Sequence, residues 1–495
     1  MADLTTLPTE LVLAILAFCD TSCVISISQT CTSFRSIALT KSLWVDIVAR
    51  LRGRGFIDHR AAPDLTQLFV PQLVELVKRA VVGPASWSPT PAPATGTDTD
   101  SFAPRVREHT KIYPHLTNFN AYHRVQLVRG GEHLLVLNSG VLECYDVAQG
   151  QRIWADQPAS PEYHVNDFAV ERGTLGNLVL AMKFMHMGVR LRTCYEIVEL
   201  DVRTGSAKQL CWLQIEELDA EGVNIVNLSG SILVSSFSTE EGLVVLDWRN
   251  LALAYIDADT QSASANAALV ENCLALVTRH DDMQRLLVFD LPSISARLSP
   301  IERHGGSTVS FTSLQNIPLS SLSPVLTFDI PGGTGSFHSI SSFWMYPHPL
   351  LEDAYRIWAS INAPALPRPG LVSLDYAPPT VTLHRLSLSL PRTNPNSASV
   401  RLLGSRSTNF WGAHRLYRDI TFSGHAERPS AVLRVTATGG ESGSMLVVDS
   451  KGRRGTFDLS GYLGVEASAG HVVMSEYSGA WTYTTSEEVL VLYFE

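Results

Sequence analysis

The chain has 495 residues, of which 45% are hydrophobic and 17% charged, a composition that supports a sizeable buried core and excludes wholesale disorder. Its formal charge of -10 is uneven: residues 1–82 hold 8 Lys/Arg against 7 Asp/Glu, which leaves 30 against 41 on the remainder. That acidic excess argues against nucleic acid as a partner of the larger part, because phosphate binding depends on Lys/Arg. The seven cysteines form no CxxC pair and no zinc-type spacing with histidine, so they read as reduced and mostly buried thiols, with no metal or other cofactor implied. No export signal and no run of about 18 apolar residues is present, which gives the expectation of a cytoplasmic or nuclear protein without a membrane contact.

In chain order, the first element is "LPTELVLAILAFC". Pro8 suits a helix start, and Leu11, Ile15, Leu16 and Phe18 fall along one side at helical spacing. Asp20 to Ser22 interrupts the pattern; Val24, Ile27 and Cys31 resume it, and Phe34, Ile37, Ala38, Leu43, Trp44 and Ile47 supply a third apolar face. Three short helices are expected, each too short to be stable alone in water, so they must pack on one another and on something else. A further amphipathic helix is expected over Leu65–Val81, stopped by Gly83 and Pro84. A Pro/Thr-rich stretch follows, giving a linker over residues 83–108.

From about His109 the helical period gives way to short β-type runs bounded by turn residues. A strand ending in aspartate before a tight turn recurs at Asp146, Asp201, Asp247, Asp290, Asp375 and Asp449. The first intervals, 55, 46 and 43 residues, are what one four-stranded propeller blade needs, and the later ones, 85 and 74, leave room for an insertion or a degenerate blade. Each aspartate is expected to accept backbone N–H groups of its own turn. The fold class is therefore mainly β with a small all-α N-terminal domain: a helical unit over 1–52, a connecting helix over 53–82, the linker, and a β-propeller-like domain over 109–495. Seven blades is the expected number, with six and eight as the neighbouring counts.

The stretch Leu7 to Leu51 resembles the F-box motif through Leu7-Pro8, Glu10-Leu11, Ile15-Leu16, Asp20, Val24, Cys31, Phe34-Arg35, Ala38 and Leu43-Trp44, with Cys19 and Cys23 standing where leucine and aspartate are commoner. The resemblance implies docking on the Skp-family adaptor of a cullin-RING ubiquitin ligase, with the rest of the chain holding a protein substrate. It places Leu7, Pro8, Leu11, Ile15, Leu16, Val24, Ile27, Cys31, Phe34, Leu43 and Trp44 in partner binding, the contact falling on Leu7, Pro8, Leu11, Ile15, Leu16 and Trp44, with Cys31 and Phe34 nearer the small core. Physically, so small a unit cannot bury all these side chains internally. The bland alternative is that they make a helical cap packed on the large domain.

No GxSxG, Walker, HExxH or kinase pattern occurs, the Gly-rich run Ile330–Ser339 has no lysine, and the histidines lack ligand spacing, so a non-catalytic protein is expected. Trp344, Tyr346, Arg356, Trp358, Trp411, Arg415 and Tyr417 have the composition of interface hot spots, each equally compatible with core or rim. Two further readings stay open: an F-box scaffold outside any ligase, whose propeller is an assembly platform, and a propeller hydrolase or lectin, which needs converging carboxylates or an aromatic pocket.

Overall fold

The computed structural model describes residues 7–58, 64–84, 86, 105–114, 124–157, 162–173, 176–186, 192–216, 223–237, 242–257, 266–280, 283–301, 308–331, 339–363, 380–391, 397–409, 420–422, 431–433, 444–448, 454–458, 471–474, 480–484 and 488–494. Most of the expected linker lies outside them, as do Asp375, Asp449, Trp411, Arg415 and Tyr417.

The N-terminal unit contains α1 (Thr9–Phe18), α2 (Thr21–Ser28), α3 (Thr32–Ala38) and α4 (Lys41–Gly53), followed by α5 (Val70–Val82). Four helices therefore stand where three are expected before residue 53. The third apolar face divides at Leu39 and Thr40, and Thr40 is extended. The Trp44 indole N–H donates to Ala38 O at 2.7 Å, satisfying a carbonyl that the end of α3 leaves open. Pro8 directly precedes α1, and α5 stops at Gly83, whose φ of 94° is cheap only for glycine.

The β region forms seven sheets among the described residues. Sheets one to three run through Arg124–Ala155, Tyr163–Glu216 and Val223–Asp257, and sheet four begins at Asn266 and ends at Ile330. Sheet five spans Ser339–Asn409 and sheet six Ile420–Asp458. Sheet seven joins the C-terminal strands, His471–Phe494, to the first strand of the region, Val106–Ile112, which pairs antiparallel with Val489–Phe494. Both ends of the β region are thereby held in one sheet, which is how a propeller closes without exposed edges. The first strands of sheets two, three, four and five touch in succession, so they line the axis.

The long interval after Asp290 holds an insertion. Helix Leu291–Ser295 leads to Ser299–Pro300 and Asn316–Pro318 on the outer edge of sheet three and to Thr308–Ser310 on that of sheet two, before Leu326–Ile330 completes sheet four. Four of the turn aspartates behave as expected: Asp146 accepts from Gln149 N–H, Asp201 from Arg203, Asp247 from Arg249 and Asn250, and Asp290 from Ser293.

Apolar clusters fill the seams between sheets seven and one, one and two, two and three, three and four, and four and five. Polar ties cross the inner strands as well. Asp167 accepts from Ile225 N–H at 2.6 Å, and Asn227 donates to Leu269 O at 2.8 Å. These bonds satisfy buried polar groups that the register shifts near residues 165–167 and 225–227 displace from the ladder.

The remaining large cluster is of another kind. Leu16, Val24, Leu43, Trp44, Ile47 and Leu51 of the helices share it with Tyr346 and Trp358 of sheet five, and Trp344, Leu350 and Leu383 pack at its margin. Alternation along the strands explains how: Phe343, Met345, Ile357 and Leu386 face sheet four, whereas Trp344, Tyr346, Trp358 and Leu383 face the helices.

Candidate functional site

The helical unit divides its apolar residues between two sides. Val12 and Leu16 of α1 are buried, while Pro8, Leu11, Ile15 and Phe18 recur at three- and four-residue steps on the outward side. Leu11 is 52%, Ile15 44% and Phe18 92% exposed, three large apolar side chains on one helix with water over much of their surface. Scattered exposed leucines are ordinary, whereas here the exposed apolar residues form a contiguous strip on a ten-residue helix.

The other expected contact residues take different places. Leu7, Ile27 and Phe34 are half-buried at the edge of the core. Leu16, Val24, Leu43 and Trp44 are sealed within the chain, Leu16 and Trp44 at 1% and 4% exposure, so these two, expected at the adaptor contact, are not presented at the surface of the chain by itself. The physical reason is that sheet five offers Tyr346 and Trp358 as an apolar partner within the same molecule. Cys31, expected nearer the core, is exposed instead; its sulfur caps α3 by accepting from Phe34 N–H at 3.5 Å. Phe18 was not among the expected contact residues although it is the most exposed apolar side chain of the strip. Its spacing of three from Ile15 is the signal that could have singled it out.

Where α4 ends, the chain meets the mouth of the ring. Arg54 donates to His348 O at 3.3 Å, lies 3.8 Å from the Glu271 carboxylate, and stacks its guanidinium over Phe56 at 4.8 Å. Ser22 N–H of α2 donates to Leu350 O in the same hairpin of sheet five. Gly55, at φ 79°, lies so near Arg129 that an added Cβ would stand 2.5 Å from the Arg129 Cβ. Gly131 does the same against the Asp58 carboxylate.

His348 sits inside this junction. Leu350 N–H points at Nδ1 from 3.1 Å and Arg356 Nη2 lies 3.3 Å from Nε2. Burial first, then the Arg356 and Arg54 cations, push its pKa down to about 3, so the ring is neutral near pH 7. Burial likewise lowers Arg52.

A cavity of about 590 Å³ opens beside Arg54, lined also by Glu171, Ser229, Glu271, Asn272 and Glu352. Glu171 accepts from Gly230 N–H at 2.7 Å, and burial raises its pKa. A second carboxylate with a raised pKa, Asp156, lies beyond the end of its strand in sheet one. Burial and the nearby Glu196 lift it to about 6. Among the described residues no group of three or more His, Cys, Asp or Glu side chains could hold a metal ion, and no helix there is long and apolar enough to cross a membrane.

The F-box-like family model matches residues 4–50. Residues 4–50 are an F-box-like domain. This F-box-like domain ends within α4, three residues before the Gly53–Gly55 turn onto the ring. No curated protein matches the chain.

Among solved structures the chain is similar to the WD40 domain of SCAP from fission yeast, with 8% identity and a TM-score of 0.40, covering 75% of this chain and 84% of that one. It is also similar to KlHsv2 with loop 6CD replaced by a Gly-Ser linker, at 9% identity and a TM-score of 0.37, covering 77% and 90%. A third similarity is to the GH93 alpha-L-arabinofuranosidase of Fusarium graminearum in complex with arabinobiose, at 9% and 0.36, covering 78% and 97%. The arrangement of sheets rests on the strand pairing described above.

Proposed function

We propose that the protein is the substrate-recognition subunit of an SCF-type cullin-RING ubiquitin ligase, docking a Skp-family adaptor through the F-box-like domain and a protein substrate through the propeller. The observation that carries this reading is the outward strip Pro8, Leu11, Ile15 and Phe18 on an F-box-like domain whose other apolar side is already occupied. Leu11 and Ile15 are already about half covered, so completing the burial of the three yields about 1 to 3 kcal/mol each, a contribution to a complex that the rest of the contact must extend past the association costs. In this reading the protein performs no bond chemistry. It raises the effective concentration of a substrate lysine near the ubiquitin-charged enzyme brought by the other subunits. The proposed place of action is the cytoplasm or nucleus.

The test is titration of the purified full chain with the purified adaptor, beside the variant Leu11→Asp/Ile15→Asp/Phe18→Asp. Wild type should bind, and the variant should lose affinity by about 100-fold or more with an unchanged circular dichroism spectrum. Wild type that does not bind the adaptor, or a variant that binds as well as wild type, defeats the proposal. Recovery of cullin with the adaptor from cells supports the ligase role; adaptor without cullin favours a scaffold.

A further inference from the structure

We infer that the F-box-like domain is a structural part of the propeller, and that α1 to α4 and sheet five gain and lose their order as one cooperative unit. This goes beyond the proposed function and does not depend on any adaptor.

Three independent features carry it. The first is the two-sided demand of sheet five. Its strands alternate between a face packed on sheet four and a second face bearing Trp344, Tyr346, Trp358 and Leu383. In a propeller the second face of each sheet is covered by the next sheet, as it is for sheets one to four. Here the part of that face bearing Tyr346 and Trp358 is packed by helices, and these two residues are 4% and 6% exposed. Without the helices, Tyr346 and Trp358 would lose the apolar cluster that packs on them among the described residues.

The second is the reciprocal demand of the helices. A unit of four short helices is marginal alone, and its core cluster is completed by these same two aromatic residues. The third is the polar seam. Arg54 reaches the carbonyl of His348 and the carboxylate of Glu271, and Ser22 N–H reaches Leu350 O. The close approaches at Gly55 and Gly131 leave no room for a side chain between the end of α4 and sheet one. Independent domains on a tether show none of these features, because relative motion is the default for a small polar interface and is lost when the interface is apolar and keyed.

The consequence is geometric. A partner held on the outward strip of α1 is fixed in orientation relative to the ring, with no hinge between residue 18 and sheet five.

Hydrogen–deuterium exchange on the full chain tests this, using wild type, Trp358→Ala and the milder Leu383→Ala. Both substitutions lie in the propeller, hundreds of residues from the helices in sequence. Peptides within 9–53 should exchange at least about tenfold faster in the variants, together with peptides of 339–363, while peptides of 162–216 keep wild-type protection. Helix peptides that retain wild-type protection while 339–363 loses it would overturn the inference. Should Trp358→Ala fail to fold, Leu383→Ala and the wild-type chain in graded urea still decide. Coincident opening of 9–53 and 339–363 supports one unit, and opening of 9–53 at lower urea than 339–363 refutes it.

Discussion

The inward and outward sides of the F-box-like domain are equally apolar and have opposite fates. Val12, Leu16, Val24 and Trp44 are sealed against other parts of the same chain, whereas Leu11, Ile15 and Phe18 stand in water. Nothing in the residue types separates Ile15 from Leu16. What separates them is which neighbour the fold supplies: the helices' own core and Tyr346 and Trp358 from sheet five on one side, no part of the described chain on the other. An amphipathic pattern therefore reports that a helix needs covering. It does not report by whom.

The sharpest way to break this comparison is to remove the partner on the propeller side. Trp358→Ala deletes a 6% exposed indole that completes the helical core and should cost about 3 to 5 kcal/mol of unfolding free energy, read by urea denaturation. A cost below about 1 kcal/mol would mean that the helices do not lean on sheet five.

Adjacent residues on α1 give a sharper contrast of the two sides. Leu16→Ala should destabilise by about 2 to 5 kcal/mol, while Ile15→Ala should stay within about 0.5 kcal/mol of wild type in the absence of a partner. Equal effects at positions 15 and 16 would erase the distinction on which the outward strip rests.

Gly55→Ala probes the seam rather than the core. Its φ of 79° disfavours any side chain, and the new Cβ would meet the Arg129 Cβ. Strain of about 1 to 3 kcal/mol is expected, with the junction peptides 53–58 losing exchange protection first. Wild-type stability in this variant would show that the end of α4 is not held against sheet one.

Much of this architecture was legible in the sequence for reasons that can be named. The turn aspartates at 146, 201, 247 and 290 are local devices, each bonding N–H groups two or three residues away, so their spacing exposes the repeat directly. Helix positions in the N-terminal unit follow largely from period and breakers; the split at Leu39 and Thr40 escaped because it depends on the Trp44 indole reaching back to Ala38. The helix expected from Leu65 begins at Val70, and the short helix Leu291–Ser295 has too few residues to show a period. The insertion over 299–318 was legible only as an overlong interval, since edge strands of two or three residues carry no pattern of their own. Trp344, Tyr346, Arg356 and Trp358 have the composition of interface residues and are equally compatible with core or rim. Three of them belong to an interface, but one between two parts of the same chain, a distinction set by contacts more than 290 residues apart.

The smallest expected effect concerns the polar seam and depends on pH. The folded pKa of His348, about 3, lies below the ordinary 6.5, because burial and the cations Arg356 and Arg54 disfavour a charged ring, with Glu271 pairing Arg54 rather than the imidazole. The unfolded chain therefore takes up a proton as pH falls through about 6.5, and the folded chain does not until near 3. The stability that His348 allows is complete above about 6.5 and declines by up to about 1.4 kcal/mol per pH unit below it. His133 and His384 are lowered by burial as well and add slopes of the same sign, whereas the raised carboxyl of Asp156 adds one of opposite sign. The difference between wild type and His348→Asn isolates the seam, since asparagine offers an acceptor to Leu350 N–H without titrating. Between pH 7 and 5.5 the wild type should lose about 1 kcal/mol more than the variant in matched urea titrations. Parallel curves would show that the imidazole is solvated in the folded protein, and that the helices and sheet five meet more loosely there than the close contacts of His348 with Arg54 and Leu350 imply.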